Sequence, residues 1–344
     1  MIDKYFTCLP ALLLPWYETH HRDLPWRRDR EPYHVWVSEV MLQQTRVEAV
    51  REKYLRFLRE LPTVEALAEC EDDKLMKLWE GLGYYSRARS LKKAANYIVT
   101  ECGGIFPQTR EELLKLPGVG EYTAGAIGSI CFGLPTPAVD GNVLRVVSRF
   151  TGSEKPVTDP EVKKDISTRL EMIYPAGHCA EFTQALMELG ATVCVPNGEP
   201  GCDDCPLREV CASRDGLWKK LPVRGEKKAR REEQKTVFVL RCGGKLALRK
   251  RGATGLLAGL WELPNVEGKL DERAAWRLAE EWGTRPERLL LSSEKEHIFT
   301  HIRWDMVAYR IDCGREAEGF LWAEQEKLEK EYSLPTAFRK FRDL

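Results

Sequence analysis

Leu116-Pro-Gly-Val-Gly-Glu-Tyr-Thr-Ala-Gly125 joins two helical patterns through a pair of glycines. Before it, Thr109-Arg-Glu-Glu112 is a capping-box sequence opening a short helix with apolar Leu113, Leu114 and Leu116. After it, Tyr122 to Ile130 reads as a second helix, rich in small residues that allow close packing. At Gly118-Val119-Gly120 the missing side chains let backbone N–H groups reach an outside anion, and with the start of the second helix they would make a phosphate site. The plainer alternative is an αα turn with a glycine C-cap. The rest of the chain decides between them.

At 344 residues the chain has room for two or three domains with real cores. It shows no secretory h-region and no apolar run long enough to span a bilayer, so a soluble, intracellular (cytoplasmic) protein is expected, with no membrane partner. The net charge of zero neither demands nor excludes nucleic acid. Eleven cysteines, an odd number spread out except for one tight group, do not look like a disulfide framework. They suggest a reducing compartment and one metal site.

In chain order, Leu9 to Tyr17 is apolar but holds Pro10 and Pro15, which predicts a helix of about two turns at most. His20 and His21 read as solvated surface, whereas Trp26-Arg27 pairs an aromatic with a guanidinium, suited to stacking on and hydrogen-bonding a base. Tyr33 to Gln44 is mostly apolar yet carries Glu39 in its middle. A buried carboxylate is costly unless paired or protonated, so Glu39 is either half of a core ion pair or a general acid raised by desolvation. Helical spacing continues over Arg46 to Leu61 and Glu65 to Trp79, and Gly81-Leu-Gly-Tyr-Tyr-Ser-Arg-Ala-Arg89 interrupts it before a helix over Ala88 to Thr100. That loop is a packed corner or a wedge for a base stack.

Past the glycine pair, Asp140 sits at a helix N-cap position, where a carboxylate is expected to stay ionised with a depressed pKa. Residues 161–190 look helical. Cys194, Cys202, Cys205 and Cys211 then follow as C-x7-C-x2-C-x5-C, a grouping that suits a 4Fe–4S cluster or structural zinc. Trp218 to Lys235 is a basic linker, a solvated tether that also attracts phosphate. Thr236–Leu240 and Lys245–Arg249 then read as a hairpin, Arg273 to Trp282 as a helix, and Phe299 to Ile311 as including another strand.

These motifs match a known family. Residues 1–215 resemble the helix-hairpin-helix DNA glycosylases that carry an iron–sulfur cluster, the group that includes endonuclease III. The match rests on Leu116-Pro-Gly-Val-Gly120, Val139-Asp-Gly-Asn-Val143 and the four cysteines. Within that group, Ser38-Glu-Val-Met-Leu-Gln-Gln-Thr45 and the Gly81–Arg89 loop look like the adenine DNA glycosylases of the MutY family, and the C-terminal part looks like their MutT-like (Nudix-related) module. The resemblance implies a multidomain chain. An all-α glycosylase region over 1–215 would comprise a six-helix barrel at about 26–132 and an iron–sulfur domain from 1–25 plus 133–215. A basic linker over 216–234 and an α+β lesion-recognition domain over 235–344 would complete it. The chain departs from the family in a first cysteine gap of seven residues instead of six, and in Phe299-Thr-His301 where Phe-Ser-His is usual. Threonine keeps the hydroxyl.

The resemblance also implies roles. Bifunctional relatives place a Schiff-base lysine at the start of the second helix; here that position is Tyr122, which cannot form an imine, so a monofunctional enzyme that leaves an abasic site is expected. Glu39 would protonate adenine at N7. Asp140 would stabilise the oxocarbenium-like sugar or bond to it, with Asn142 and Tyr122 orienting the pair. Gln44, Leu82 and Tyr84 match positions that fill and wedge the duplex, while Thr45, Phe299, Thr300 and His301 match those that read 8-oxoguanine. Trp26, Arg27, Gln184 and Glu188 are candidate adenine-pocket residues, and Gly118, Val119 and Gly120 would grip phosphate. One 4Fe–4S cluster would sit on Cys194, Cys202, Cys205 and Cys211. The expected partner is double-stranded DNA carrying adenine opposite 8-oxoguanine or guanine, bound by a monomer.

Other readings are a related glycosylase acting on another mispaired base, a Nudix nucleotide hydrolase with a helical appendage, and a non-catalytic damage binder. Aligning the Nudix box on Glu280-Glu281-Trp-Gly283 puts Trp276, Arg277 and Gly268 where the metal-binding pattern needs Arg, Glu and Glu, so that chemistry is disfavoured. Pure binding needs neither Glu39 nor Asp140.

Overall fold

The structure is a computed structural model and describes residues 4–225, 229–342 and 344. Part of the basic linker, including Lys227 and Lys228, therefore lies outside the described residues. The chain forms two units, Met1–Glu69 with Arg89–Glu226 and Cys70–Ala88 with Lys227–Leu344. Among the described residues no helix is long and apolar enough to cross a membrane.

The first unit is helical. Its main elements are α1 (Leu9–His20), α2 (Pro32–Leu42), α3 (Val47–Glu60), α4 (Ser86–Glu101), α5 (Arg110–Leu113), α6 (Glu121–Phe132), α7 (Gly141–Thr151), α8 (Pro160–Glu171) and α9 (Cys179–Thr192). Helix α6 is buried along nearly its whole length, and its small residues are required there. A Cβ on Gly125 would lie 2.2 Å from the Pro137 carbonyl oxygen, and one on Gly128 would lie 2.6 Å from the Thr136 hydroxyl. Helix α9 packs against α1 and α7 through a core holding Leu9, Leu13, Phe150, Phe182 and Leu186, and against α6 beside Ala126 and Ile130. The expected short first helix is corrected: α1 runs through Pro15 to His20, because burying Leu9, Leu13, Trp16 and Tyr17 outweighs the lost backbone bond. The helical expectation for 161–190 also breaks, at the Pro175–Gly177 turn between α8 and α9.

The second unit is α+β. Its strands are β1 (Arg231–Cys242), β2 (Lys245–Lys250), β3 (Trp261–Glu262), β4 (Asn265–Glu267), β5 (Pro286–Ile298), β6 (Ile302–Cys313) and β7 (Leu321–Ala323). They run in the order β3-β2-β1-β6-β5, with β4 on β1 and β7 on β2. Strand β1 is parallel to β6, and β5–β6 is a long antiparallel hairpin. Alternation along β1 sends Val237 and Val239 to one core, with Trp304 and Phe338, and Phe238 and Leu240 to the other. Helix α10 (Glu272–Glu281) covers the second face through Ala275 and Ala279. Strand β5 escaped the sequence reading because it is an edge strand with a charged stretch, Glu294-Lys-Glu296, which hides the period-two signal. Residues 70–88, expected in the helical region, instead pack with this unit: Lys77 Nζ donates to the carbonyls of Leu328 and Tyr332 at 3.4 and 3.1 Å, and Ser333 donates to the Tyr85 hydroxyl at 3.2 Å.

Candidate active site

A cavity of about 570 Å³ opens in the helical unit, lined by α2, α6, α9 and the start of α7. Glu39, Tyr122, Asp140 and Asn142 all face it. Helix α2 starts at Pro32, with the Glu31 carboxylate capping the amides of Tyr33 and His34, and it buries Tyr33 through Met41. That burial carries Glu39 inside, 6% exposed. Desolvation lifts its carboxyl to about 7; the Tyr122 hydroxyl donates to Glu39 Oε2 and opposes the rise, the Asp140 charge adds to it, and Arg27 opposes it. The Tyr122 phenol is itself pushed up, by burial first and by the two carboxylates next.

Asp140 caps α7: Oδ1 accepts from the amides of Asn142 and Val143 at 2.9 and 2.8 Å, and Oδ2 accepts from Asn142 Nδ2 at 2.8 Å. The cap geometry is the one the spacing predicts, but its electrostatic consequence needs correcting. Burial raises the Asp140 pKa above the ordinary carboxylate value, and the cap bonds recover only part of the cost. Beneath it sits Arg145, 5% exposed, a residue the sequence reading missed. Its guanidinium donates to Asn142 Oδ1, the Gly190 carbonyl and the Cys194 carbonyl, each at 2.7 Å. An arginine three residues after Asn142 on the same helix was the available signal, since a buried guanidinium must find acceptors.

The bond to Cys194 leads to a second, smaller pocket, around which Cys194, Cys202, Cys205 and Cys211 are arranged. Arg149 Nη1 lies 3.4 Å from the Cys194 sulfur. Among the described residues no three His, Cys, Asp or Glu side chains are already gathered tightly enough to hold a metal ion. The donor set is four thiols around one shared space beside a cation, which fits an iron–sulfur cluster held by thiolates.

Trp26, Arg27, Gln184 and Glu188 also line the large cavity. Trp26 is buried, edge-on to Tyr54 at 5.6 Å between ring centroids. Tyr17 donates to Gln184 Oε1 at 3.0 Å. Glu188 is closed off: its side chain is 0% exposed, and it accepts from Arg27 and from Arg22, another residue the sequence reading missed. Gln44, exposed and with φ of 55°, and half-buried Thr45 line the cavity as well. Gln43 beside them donates to the Thr123 hydroxyl at 3.3 Å.

The glycine pair forms a tighter turn than a helix C-cap. Val119 N–H bonds the Leu116 carbonyl at 3.0 Å and Gly118 has φ of 77°, the pattern of a type II turn with Pro117 and Gly118 at its corners. A Cβ on Gly118 would also lie 2.5 Å from that of Ser90. The Val119 amide is spent on the turn and its side chain is buried, so only the exposed backbones of Gly118 and Gly120 face outward.

The remaining predicted residues belong to the second unit. Leu82 is buried, whereas Tyr84 is 45% exposed with φ of 44°. Arg87 fixes the backbone between them, donating to the carbonyls of Leu82 and Gly83 at 2.9 and 3.2 Å. Phe299 packs edge-on against Trp304 and closes the β5–β6 turn through the Ile302 carbonyl, leaving Thr300 and His301 exposed. The Tyr84 and Thr300 hydroxyls lie 2.6 Å apart.

Comparisons with known proteins agree with this architecture. Residues 37–172 match the model of the HhH-GPD superfamily base excision DNA repair proteins, and residues 236–344 match that of the NUDIX domain. Human adenine DNA glycosylase is 34% identical, over 97% of this chain and 73% of its own length. An adenine DNA glycosylase of Buchnera aphidicola (from Acyrthosiphon pisum) is 33% identical over 77% of this chain and 76% of its own. Among solved structures, a thermostable thymine-DNA glycosylase aligns with a TM-score of 0.56 at 28% identity, covering 62% of this chain and 97% of that one. A non-covalent endonuclease III–DNA complex aligns at 0.52 and 26% identity, covering 62% and 94%. The chain belongs to the adenine DNA glycosylase family: it is a base-excision repair enzyme with a helix-hairpin-helix glycosylase domain followed by a Nudix-like domain.

Proposed function

We propose that this glycosylase acts on adenine opposite 8-oxoguanine or guanine, by hydrolysis alone, and leaves an abasic site. The observation that carries the mechanism is the placement of two carboxylates with unlike partners in one cavity. Glu39 meets a phenol and little water, so near neutral pH it keeps a proton to give to adenine N7. Asp140 meets three N–H donors that favour its anion, and it faces the positive sugar left behind. Asn142 fixes the Asp140 carboxylate, and the Tyr122 hydroxyl fixes that of Glu39. Tyr122 offers no amine for an imine, which supports hydrolysis over strand cleavage.

The outward backbones of Gly118 and Gly120 suit a DNA phosphate, and exposed Gln44 with neighbouring Thr45 on the cavity lining suit the duplex. Tyr84, Thr300 and His301, exposed in the second unit, are the groups proposed to meet the opposite strand. Cys194, Cys202, Cys205 and Cys211 would hold one 4Fe–4S cluster, which when bound cross-links the loop and adds a redox-capable centre. Arg145 ties that loop to Asn142 whatever the cluster does.

The test uses duplexes with adenine opposite 8-oxoguanine, adenine opposite guanine, or an oxidised pyrimidine, with and without alkali. Strand breaks should appear only after alkali, only at adenine, and not with Glu39→Gln. Breaks without alkali, or at the pyrimidine, would overturn the proposal.

A further inference from the structure

Glu188 has the geometry of a counter-ion. Oε1 accepts from the Arg22 amide at 3.0 Å and from Arg22 Nε at 2.7 Å; Oε2 accepts from Arg22 Nη2 at 2.8 Å and from Arg27 Nη2 at 2.7 Å. Each oxygen thus takes two donors, and the side chain is 0% exposed. Both carboxylate oxygens are thereby engaged by Arg22 and Arg27, which line the same cavity. Burial works against its ionised form, but the bonds from Arg22 and Arg27 outweigh it and hold the pKa at about 2.

Why a glycosylase pocket needs this buried anion follows from what faces Glu39. Tyr122 on α6 and Asp140 at the head of α7 adjoin it, Cys131 lies further along α6, and Arg27 is the cation that acts on it. Lys163 lines the same cavity. Around the arginines, Tyr17 stacks under Arg27 at 5.8 Å, Glu48 faces Arg22, and the Arg30–Glu181 pair lies beyond. Left without a counter-ion, the Arg27 guanidinium, which lines the same cavity and already favours the Glu39 carboxylate, would pull the acid further into that form and remove the proton that adenine needs. We propose that Glu188 is a positioning residue for the acid, an anion that neutralises and pins Arg27 and Arg22 so that Glu39 keeps its proton. The inference rests on the proposed role of Glu39.

The test is the pH profile of single-turnover adenine excision, with folding checked by circular dichroism. The wild type should lose activity on the alkaline side of about 7. Glu188→Gln should move that limb toward acid by about one pH unit, because the freed arginine charge then acts on Glu39. Arg27→Gln should move it the other way, the double variant should return it close to the wild-type position, and Glu188→Asp, which keeps the charge, should leave it in place. A Glu188→Gln enzyme slowed equally at every pH, with the limb unmoved, would overturn the inference. If Glu188→Gln does not fold, Arg27→Gln and the double variant decide it: a limb unmoved by Arg27→Gln refutes it. A wild-type profile with no alkaline limb would instead refute Glu39 as the acid.

Discussion

Replacing Glu39 by glutamine should stabilise the protein above neutral pH while abolishing excision. The folded-state pKa of Glu39 is about 7 against an ordinary value of 4.5. From 4.5 upward the unfolded chain has released this proton while the folded one still holds it, so folding loses free energy as pH rises, until the folded carboxyl also ionises near 7. With ~1.4 kcal/mol for each pKa unit, the loss comes to about 3 kcal/mol. Glutamine is neutral, nearly the same shape, and still accepts from the Tyr122 hydroxyl through its carbonyl. Glu39→Gln should therefore nearly match the wild type below about pH 4 and exceed it by about 3 kcal/mol at about pH 8. The helical transition followed by far-ultraviolet circular dichroism should rise by about 8 °C at the higher pH. A variant equally or less stable than the wild type at both pH values would mean that Glu39 is a satisfied anion, and the acid mechanism would fall.

Tyr122→Phe removes the hydroxyl that favours the Glu39 carboxylate, so the alkaline limb of the excision profile should rise by about one pH unit; a fall would contradict the hydrogen-bond direction. Arg145→Met strands the carbonyls of Gly190 and Cys194 and frees Asn142, which should cost about 3 kcal/mol in chemical denaturation and slow single-turnover excision, though Arg145 lines no part of the catalytic cavity. Gly190→Ala places a Cβ 2.6 Å from that of Asn142 and should destabilise by ~1–3 kcal/mol while slowing excision. Wild-type stability with normal excision in either variant would show that Asn142 has room to move.

What could be read from the sequence was local. Asp140 is a cap because its partners are Asn142 and Val143, and the Pro117-Gly118 turn depends on four adjacent residues. The apolar surroundings that make Glu39 anomalous are its own helix neighbours. The missing parts were tertiary. Arg22 meets Glu188 across 166 positions, and nothing near either residue announces it. The expected low pKa of Asp140 failed because a cap is visible in sequence and the depth of its burial is not. Residues 70–88 read as helix and loop, but Lys77 and Tyr85 find their partners near the C-terminus.

The acid itself can be observed by infrared difference spectroscopy of the wild-type protein against Glu39→Gln. A protonated carboxyl C=O band should be present at about pH 6, and should titrate away with a midpoint near 7. A carboxylate signature already complete at about pH 6, with no protonated band at any higher pH, would contradict a proton-loaded Glu39.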